Sequence, residues 1–241
     1  MNTIYVKYQG TPQLQTMTKE MLQQIPIDYP VGGTIYGTLL NYQEEFNQLK
    51  PLLTTAPYND FPKAPILYIK PANTLNAHQK IIPLTNDVEN VQANGTLAIV
   101  IKKNAYKVKK EQYKEFILGY TIANDITIPH ENYYRPAILH KSRDGFCPIG
   151  PYIVSVDSIY DPNNLTISTF VNGELKKQVS TSGLIRSIGQ LLEDVTEFMT
   201  LSAGDVLLTG IPSNPPLVND GDLVSITIDQ IGTLTNEIKV F

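Results

Sequence analysis

The sequence predicts an α+β fold, mainly β, with a large bent β-sheet core and a few helices. Three observations carry that expectation. Runs rich in β-branched residues recur as LAIVIKK (97–103), NLTISTFVNG (164–173) and LVSITIDQIG (223–232), and such side chains suit a pleated, half-buried strand. The chain holds 17 prolines and 15 glycines spread along its 241 residues, a density that cuts it into short elements. Helical periodicity is confined to three segments that do not alternate regularly with strands, which disfavours a doubly wound parallel sheet.

The first 32 residues read as a strand, a helix over TMTKEMLQQI (16–25) and a Pro-Gly boundary at DYPVGG. They form a short N-terminal cap segment (1–32) ahead of a main domain (33–241). A second helix is expected over KKEQYKEFILGY (109–120). In NLTISTFVNG, Leu165, Ile167, Thr169 and Val171 alternate with Thr166, Ser168 and Phe170, the pattern of a partly buried strand that ends in an Asn172-Gly173 turn. A third helix is expected over SGLIRSIGQLLEDVTEFM (182–199), where Leu184, Ile188, Leu191, Leu192, Val195 and Phe198 form a core stripe and Ser182 is placed as the N-cap.

Composition removes several classes of function. The net charge is −4 with no basic stripe, so no electrostatic pull toward phosphate backbones exists and nucleic acid is not an expected partner. No stretch approaches the roughly twenty apolar residues that span a bilayer, so no membrane partner is expected. The start MNTIYVKYQG lacks a secretory pattern, and the single cysteine cannot form an internal disulfide, which together suit a reducing, cytoplasmic setting. Cys147, between Phe146 and Pro148, reads as a buried structural thiol. Phosphate-loop, dinucleotide, serine-hydrolase and zinc signatures are absent, and His78, His130 and His140 are scattered.

Three polar clusters remain. GYTIANDITIPHENYYRP (119–136) sets Asn124 and Asp125 after an apolar strand, where the carboxylate suits a hard cation such as Mg2+ and a simple Asn-Asp turn accounts for the same pair. HKSRDGFCPIGP (140–151) offers Lys141 and Arg143 to a carboxylate or phosphate, or else is a solvated loop. SAGDVLLTGIPSNPP (202–216) ends a short apolar strand at Thr209 and Gly210, either an anion cradle of backbone amides or a structural hairpin.

Taken in order, FPKAPILYIKP, GYTIAND, HKSRDGFCPIGP, FVNGELKKQ, SAGDVLLTGIP and GDLVSITIDQIGTLTN resemble the fumarylacetoacetate hydrolase family over roughly residues 33–241. The resemblance implies a β-rich roll and an enzyme that cleaves or rearranges 2-oxo acids and their enols, with Mg2+ or Mn2+ held by three carboxylates. It implies Lys141 as the catalytic lysine, Asp125 as a metal ligand, and Lys70, Thr209 and Gly210 near the substrate. Arg143 and Arg135 are candidates for a distal carboxylate by charge type.

The departures matter as much. The other two metal carboxylates of the family come from Glu-x-Glu, and here Asn94 and Thr96 stand in their places. Asp87 and Glu89 share that spacing but lie upstream of the register set by Leu97 to Ile101. Glu45 in LLNYQEEF takes the place of a catalytic histidine, and Pro129 that of an arginine. ITIPHENYYRPAILHKSRDGFCPIGP is similar to a subgroup of isomerase/decarboxylases of aromatic breakdown built of an acid-bearing half and an acid-lacking half. The resemblance thus implies a subunit working on a 2-oxo acid beside a homologous acid-bearing subunit or a copy of itself, with Mg2+ or Mn2+ or no metal at all. A non-catalytic structural or regulatory member, and a stand-alone hydrolase or decarboxylase with a rebuilt metal site, are the alternatives.

Overall fold

A computed structural model describes residues 3–22, 26–130 and 136–241. Two sheets face each other across one apolar core. The larger has ten strands, with the main path Gln15–Thr18, Thr3–Tyr8, Cys147–Ser155, Ile117–Asn124, Gly95–Ile101, Val206–Leu208, Ile35–Leu39 and Ile66–Lys70. The smaller has five, in the order Glu174–Ser180, Thr166–Val171, Leu223–Ile228, Gly232–Val240 and Ile81–Leu84. Leu97, Ile99 and Ile101 from the first sheet meet Ile167, Ile226 and Leu234 from the second in one buried cluster.

The central strands explain the mainly β character. Every residue of Gly95–Ile101 and of Cys147–Ser155 is buried, so these segments read as continuous apolar runs rather than alternating ones. Thr166–Val171 alternates as expected and closes through Asn172 and Gly173, whose φ values of 52° and 83° are the left-handed pair a two-residue hairpin needs. The strand Thr3–Tyr8 at the start of the chain pairs with Cys147–Ser155 and sends Ile4 and Val6 into the main core.

The helices depart from the sequence expectation. Residues 16–25 were expected to be helical, but Gln15–Thr18 is a strand paired with Thr3–Val6, followed by a 3-10 turn at Lys19–Met21. Sheet pairing outweighs a weak helical pattern there. In 109–120 only Lys110–Phe116 coils, as 3-10 helix; Ile117 begins the strand Ile117–Asn124 that pairs with Gly95–Ile101.

The third expected helix is shorter, Ile188–Thr196, and its cap is Ser187, whose hydroxyl accepts the Gln190 N–H, not Ser182. Residues 185–186 are held in a bend by Asn41: its carbonyl accepts the Ile185 N–H at 2.7 Å and its side chain accepts the Arg186 N–H at 3.0 Å. Phe198 lies beyond that helix and is exposed, so the core stripe ends at Val195. A helix that the sequence did not announce, α1 (Gln43–Leu53), follows Tyr42 with Glu44 and Glu45 in its first turn. A four-residue helix, α2 (Ile138–Lys141), precedes the strand Cys147–Ser155, and α3 is Ile188–Thr196. Among the described residues no helix is long and apolar enough to cross a membrane.

Candidate active site

A cavity of about 880 Å³ opens between α1, the edge strand Ile66–Lys70, α2 and the loop after Val206–Leu208. Leu39, Leu49, Leu67 and Pro212 give it apolar walls, and Glu45, Tyr68, Asn94, Thr127 and Lys141 supply polar groups. That mixture, largely apolar with a few convergent polar atoms, is the usual form of a small-molecule site.

Asp125 lies just past the end of the strand Ile117–Asn124 and is fully buried. Lys70 places its ammonium 2.8 Å from Oδ1, and Lys141 donates to Oδ2 at 2.7 Å. The Tyr68 hydroxyl also donates to Oδ2. Burial works to raise the Asp125 carboxyl pKa, but the charges of Lys141 and Lys70 and their hydrogen bonds overcome it and hold the group well below the usual carboxylate range. Burial and the Asp125 charge push the Tyr68 hydroxyl pKa well up, so it stays a donor.

The two lysines are not equivalent. Lys70 has no exposed side-chain surface and donates to the carbonyls of Ile126 at 3.1 Å and Lys141 at 2.6 Å beside its ion pair with Asp125. It lies behind the cavity lining, where it braces the floor. Lys141 donates to Asp125 and, at 2.7 Å, to the Thr127 hydroxyl, leaving one donor for the Tyr68 ring, whose centre is 4.6 Å away, or for a ligand on the cavity wall. Burial lowers its pKa, Asp125 opposes that, and Lys70 adds to the lowering. The fit around Tyr68 is tight: a Cβ on Gly37, opposite it in the sheet, would lie 2.0 Å from the ring.

The remaining sequence candidates divide. Asn94 lines the cavity; its amide nitrogen donates to the Asp125 carbonyl at 2.9 Å, and its Oδ1 is buried with no partner among the described residues. Thr96 spends its hydroxyl on the Gly210 carbonyl at 2.7 Å. Thr209 and Gly210 do not line the cavity but sit behind it, where the Thr209 carbonyl accepts from Asn41 and Gly210 takes a φ of 134° against that same asparagine. The lining comes from the next residues, Ile211 to Pro215.

Arg143 points away from the cavity. It pairs with Asp87 at 2.9 Å and donates to Thr85 at 2.6 Å on the surface, outside the lining of the cavity. Glu89 is exposed, so neither acid of the upstream pair reaches the site. The SAGD segment is a tight turn, not a hairpin, since the strand after it pairs with Ile35–Leu39 and Gly95–Ile101; Asp205 accepts the N–H groups of Thr34 and Ser202, both at 2.8 Å. Cys147 is buried, and burial pushes its thiol up to about 12. His130 lines the cavity and stacks on His140 at 4.6 Å, whereas His78 accepts the Thr235 N–H elsewhere. Arg135, Tyr133 and Tyr134 lie outside the described residues.

Glu45 is the functional candidate whose role sequence reasoning missed. The asparagine that ties the start of α1 to the Thr209 carbonyl fixes the helix rotation, so Glu44 faces outward to Lys177 at 3.6 Å while Glu45 turns in to the cavity. Its signal was present in the Asn-Tyr pair before a run of Phe46, Leu49 and Leu53 at helical spacing, but Pro51 obscured it.

A divalent cation does not fit this donor set. It would stand beside a carboxylate already faced by two ammonium groups, with about 8 kcal/mol of repulsion per ammonium at ~4 Å and an effective dielectric constant of about 20. Thr96 is committed elsewhere, and among the described residues no three of His, Cys, Asp or Glu converge on a common point. The expected Mg2+ or Mn2+ at Asp125 therefore has no matching ligand set.

Comparison with known proteins adds the ancestry. Residues 34–239 match the family model described as fumarylacetoacetate (FAA) hydrolase C-terminal. The chain is 41% identical over 208 residues to the 4-hydroxyphenylacetate degradation bifunctional isomerase/decarboxylase of Salmonella dublin, covering 86% of this chain and 47% of that protein. It thus spans about half the length of that curated relative. The solved 5-carboxymethyl-2-hydroxymuconate delta-isomerase of Mycobacterium smegmatis superposes with a TM-score of 0.79 at 28% identity over the full length of both chains. A maleylpyruvate hydrolase from Sphingobium solved with manganese(II) and pyruvate superposes at 0.73 with 26% identity, covering 94% of this chain and 77% of that one.

Proposed function

The chain belongs to the fumarylacetoacetate hydrolase family, and from that membership we propose that it is a subunit of an isomerase/decarboxylase of aromatic catabolism, acting on unsaturated 2-oxo acids. The observation that carries the reading is the arrangement around Asp125, which sets the Lys141 ammonium on the wall of a mostly apolar cavity. The oxygen of a 2-oxo acid bound there accepts from Lys141. That ammonium holds the oxygen more strongly as enolate charge builds on it than in the keto form, and differential binding of that kind is what promotes a proton shift.

Within this reading Lys141 holds the 2-oxygen and stabilises charge on it, while Asp125, Lys70 and Tyr68 keep the ammonium in place. A divalent ion would meet an ion-paired aspartate, an amide and a committed hydroxyl here, so the reading routes no step through a metal. Full activity on a decarboxylating substrate is assigned to a pairing with a homologous subunit that retains the acids.

The experiment follows the absorbance of a 2-hydroxy-2,4-dienedioate mixed with the purified chain, alone and with an acid-bearing homologue, with and without a chelator. Isomerisation by the chain that survives chelation and is lost in Lys141→Met supports the proposal. Activity of the lone chain that requires added Mn2+ refutes it in favour of a rebuilt metal site. No activity in any mixture would make the chain a non-catalytic member of the family.

A further inference from the structure

We infer that Glu45 is the proton carrier of this pocket, moving a proton between carbons of an enolisable 2-oxo acid while Lys141 holds the oxygen. The inference rests on the reading of the cavity as an enol site and names the acid-base group that reading lacks.

Glu45 lines the same cavity as Lys141 and is only 8% exposed. Its Oε2 has no hydrogen-bond partner among the described residues. A buried carboxyl with an orphaned oxygen costs stability that a leucine or a paired glutamine at this helix position would not, so a structural role explains it poorly. Oε2 itself is closed off, so a ligand in the cavity meets Glu45 through the small surface the side chain keeps on the wall.

The charged and titratable groups that Glu45 feels are Lys141 and Tyr68, together with a backbone hydrogen bond at Leu40. Burial outweighs the pull of that bond and of Lys141 and raises the carboxyl pKa to about 7. A group poised there takes and gives protons near neutrality, the condition for general acid-base work.

The step balances without a co-reactant. The Glu45 carboxylate takes a proton from the carbon two bonds from the 2-oxygen or its vinylogous equivalent. The C–H electron pair becomes the C=C bond of the enolate, and the displaced carbonyl pair rests on the oxygen facing Lys141. Return of the same proton to the other end of the conjugated system restores the carbonyl and leaves the double bond moved. No atom is gained or lost and nothing is oxidised.

The test uses 2-oxoadipate in D2O with a chelator present, read by proton NMR, and calorimetric binding of oxalate. Wild type is expected to bind oxalate and exchange the C3 protons, with a rate that rises through a single ionisation near neutral pH. Glu45→Gln is expected to slow exchange by about 100-fold or more while still binding oxalate, and Glu45→Asp to restore part of the rate. Exchange by Glu45→Gln at the wild-type rate would overturn the inference and leave the 2-oxo acid pocket standing. So would oxalate binding by wild type without exchange, or loss of oxalate binding in Glu45→Gln, which would mark Glu45 as structural. Failure of wild type both to bind oxalate and to exchange would remove the pocket reading and the inference together.

Discussion

Replacing Asp125 by Asn should destabilise this protein severely, and that loss separates an ion-paired floor from a vacant metal site. Asparagine keeps the shape but removes the charge that two buried ammonium groups face at 2.8 and 2.7 Å. Deleting one member of a buried charge cluster costs about 3–5 kcal/mol, because the remaining charges are left without compensation. For a chain of this size each kcal/mol moves the thermal midpoint by about 2–4 °C, so a fall of about 6–20 °C is expected.

The pH dependence gives a second handle. In the wild type the folded Asp125 pKa is depressed, so its contribution is present above the unfolded value of about 3.9 and fades as pH falls through the folded one. In the variant the unpaired lysines prefer to be neutral when folded, and their penalty fades as pH rises toward the lysine range. The gap between the two proteins should therefore be widest from about pH 5 to 9 and close at both ends. Thermal or urea denaturation at fixed protein concentration, with chelator, measures it. A variant as stable as wild type, or more so, would refute the reasoning, since that is how a cluster of carboxylates awaiting a cation behaves.

Three further outcomes follow from the same geometry. Glu45→Gln should gain stability over wild type by about 3 kcal/mol above pH 7 and nothing near pH 4, because a carboxyl pKa raised to about 7 makes folding less favourable only as pH rises from the unfolded value through the folded one; chemical denaturation at the two pH values reads this. Arg143→Ala should leave oxalate binding and exchange unchanged, since the guanidinium is engaged with Asp87 and Thr85 at the surface, and a loss of binding in calorimetry would contradict that placement. Gly37→Ala should cost about 1–3 kcal/mol and loosen the Tyr68 contact with Asp125, visible as a lower thermal midpoint and weaker oxalate binding, because the new methyl would meet the ring at 2.0 Å.

The strands were legible because their signal is local. Leu97 to Ile101 is continuous and apolar, and Asn172-Gly173 can serve the left-handed turn its neighbours require. Residues 117–120 were misread as helix because Phe116, Ile117 and Tyr120 also fit a helical spacing; only pairing with Gly95–Ile101 decides between the two periods. Ser187 was passed over as a cap because the bend at 185–186 that delays the helix depends on Asn41, which is 145 residues from Arg186. Motifs placed Asp125 and Lys141 in one site, but they could not show which donors were free. Lys70, Thr96 and Arg143 each occupy a position suggestive of function, and each is fully engaged with a partner distant in sequence.

Asn94 and Thr96 set the charge of the floor of the site. With glutamates there, the floor of the site would combine three carboxylates with two lysines and carry a net negative charge, which attracts a cation. With Asn94 and Thr96, one carboxylate faces Lys70 and Lys141 and the floor carries a net positive charge. A floor of that charge favours an anion over a cation, and the low-dielectric apolar walls strengthen the preference. Asp125 has its own part in it: without this carboxylate two ammonium groups would be buried side by side. It is the counter-charge that lets Lys141 face the cavity.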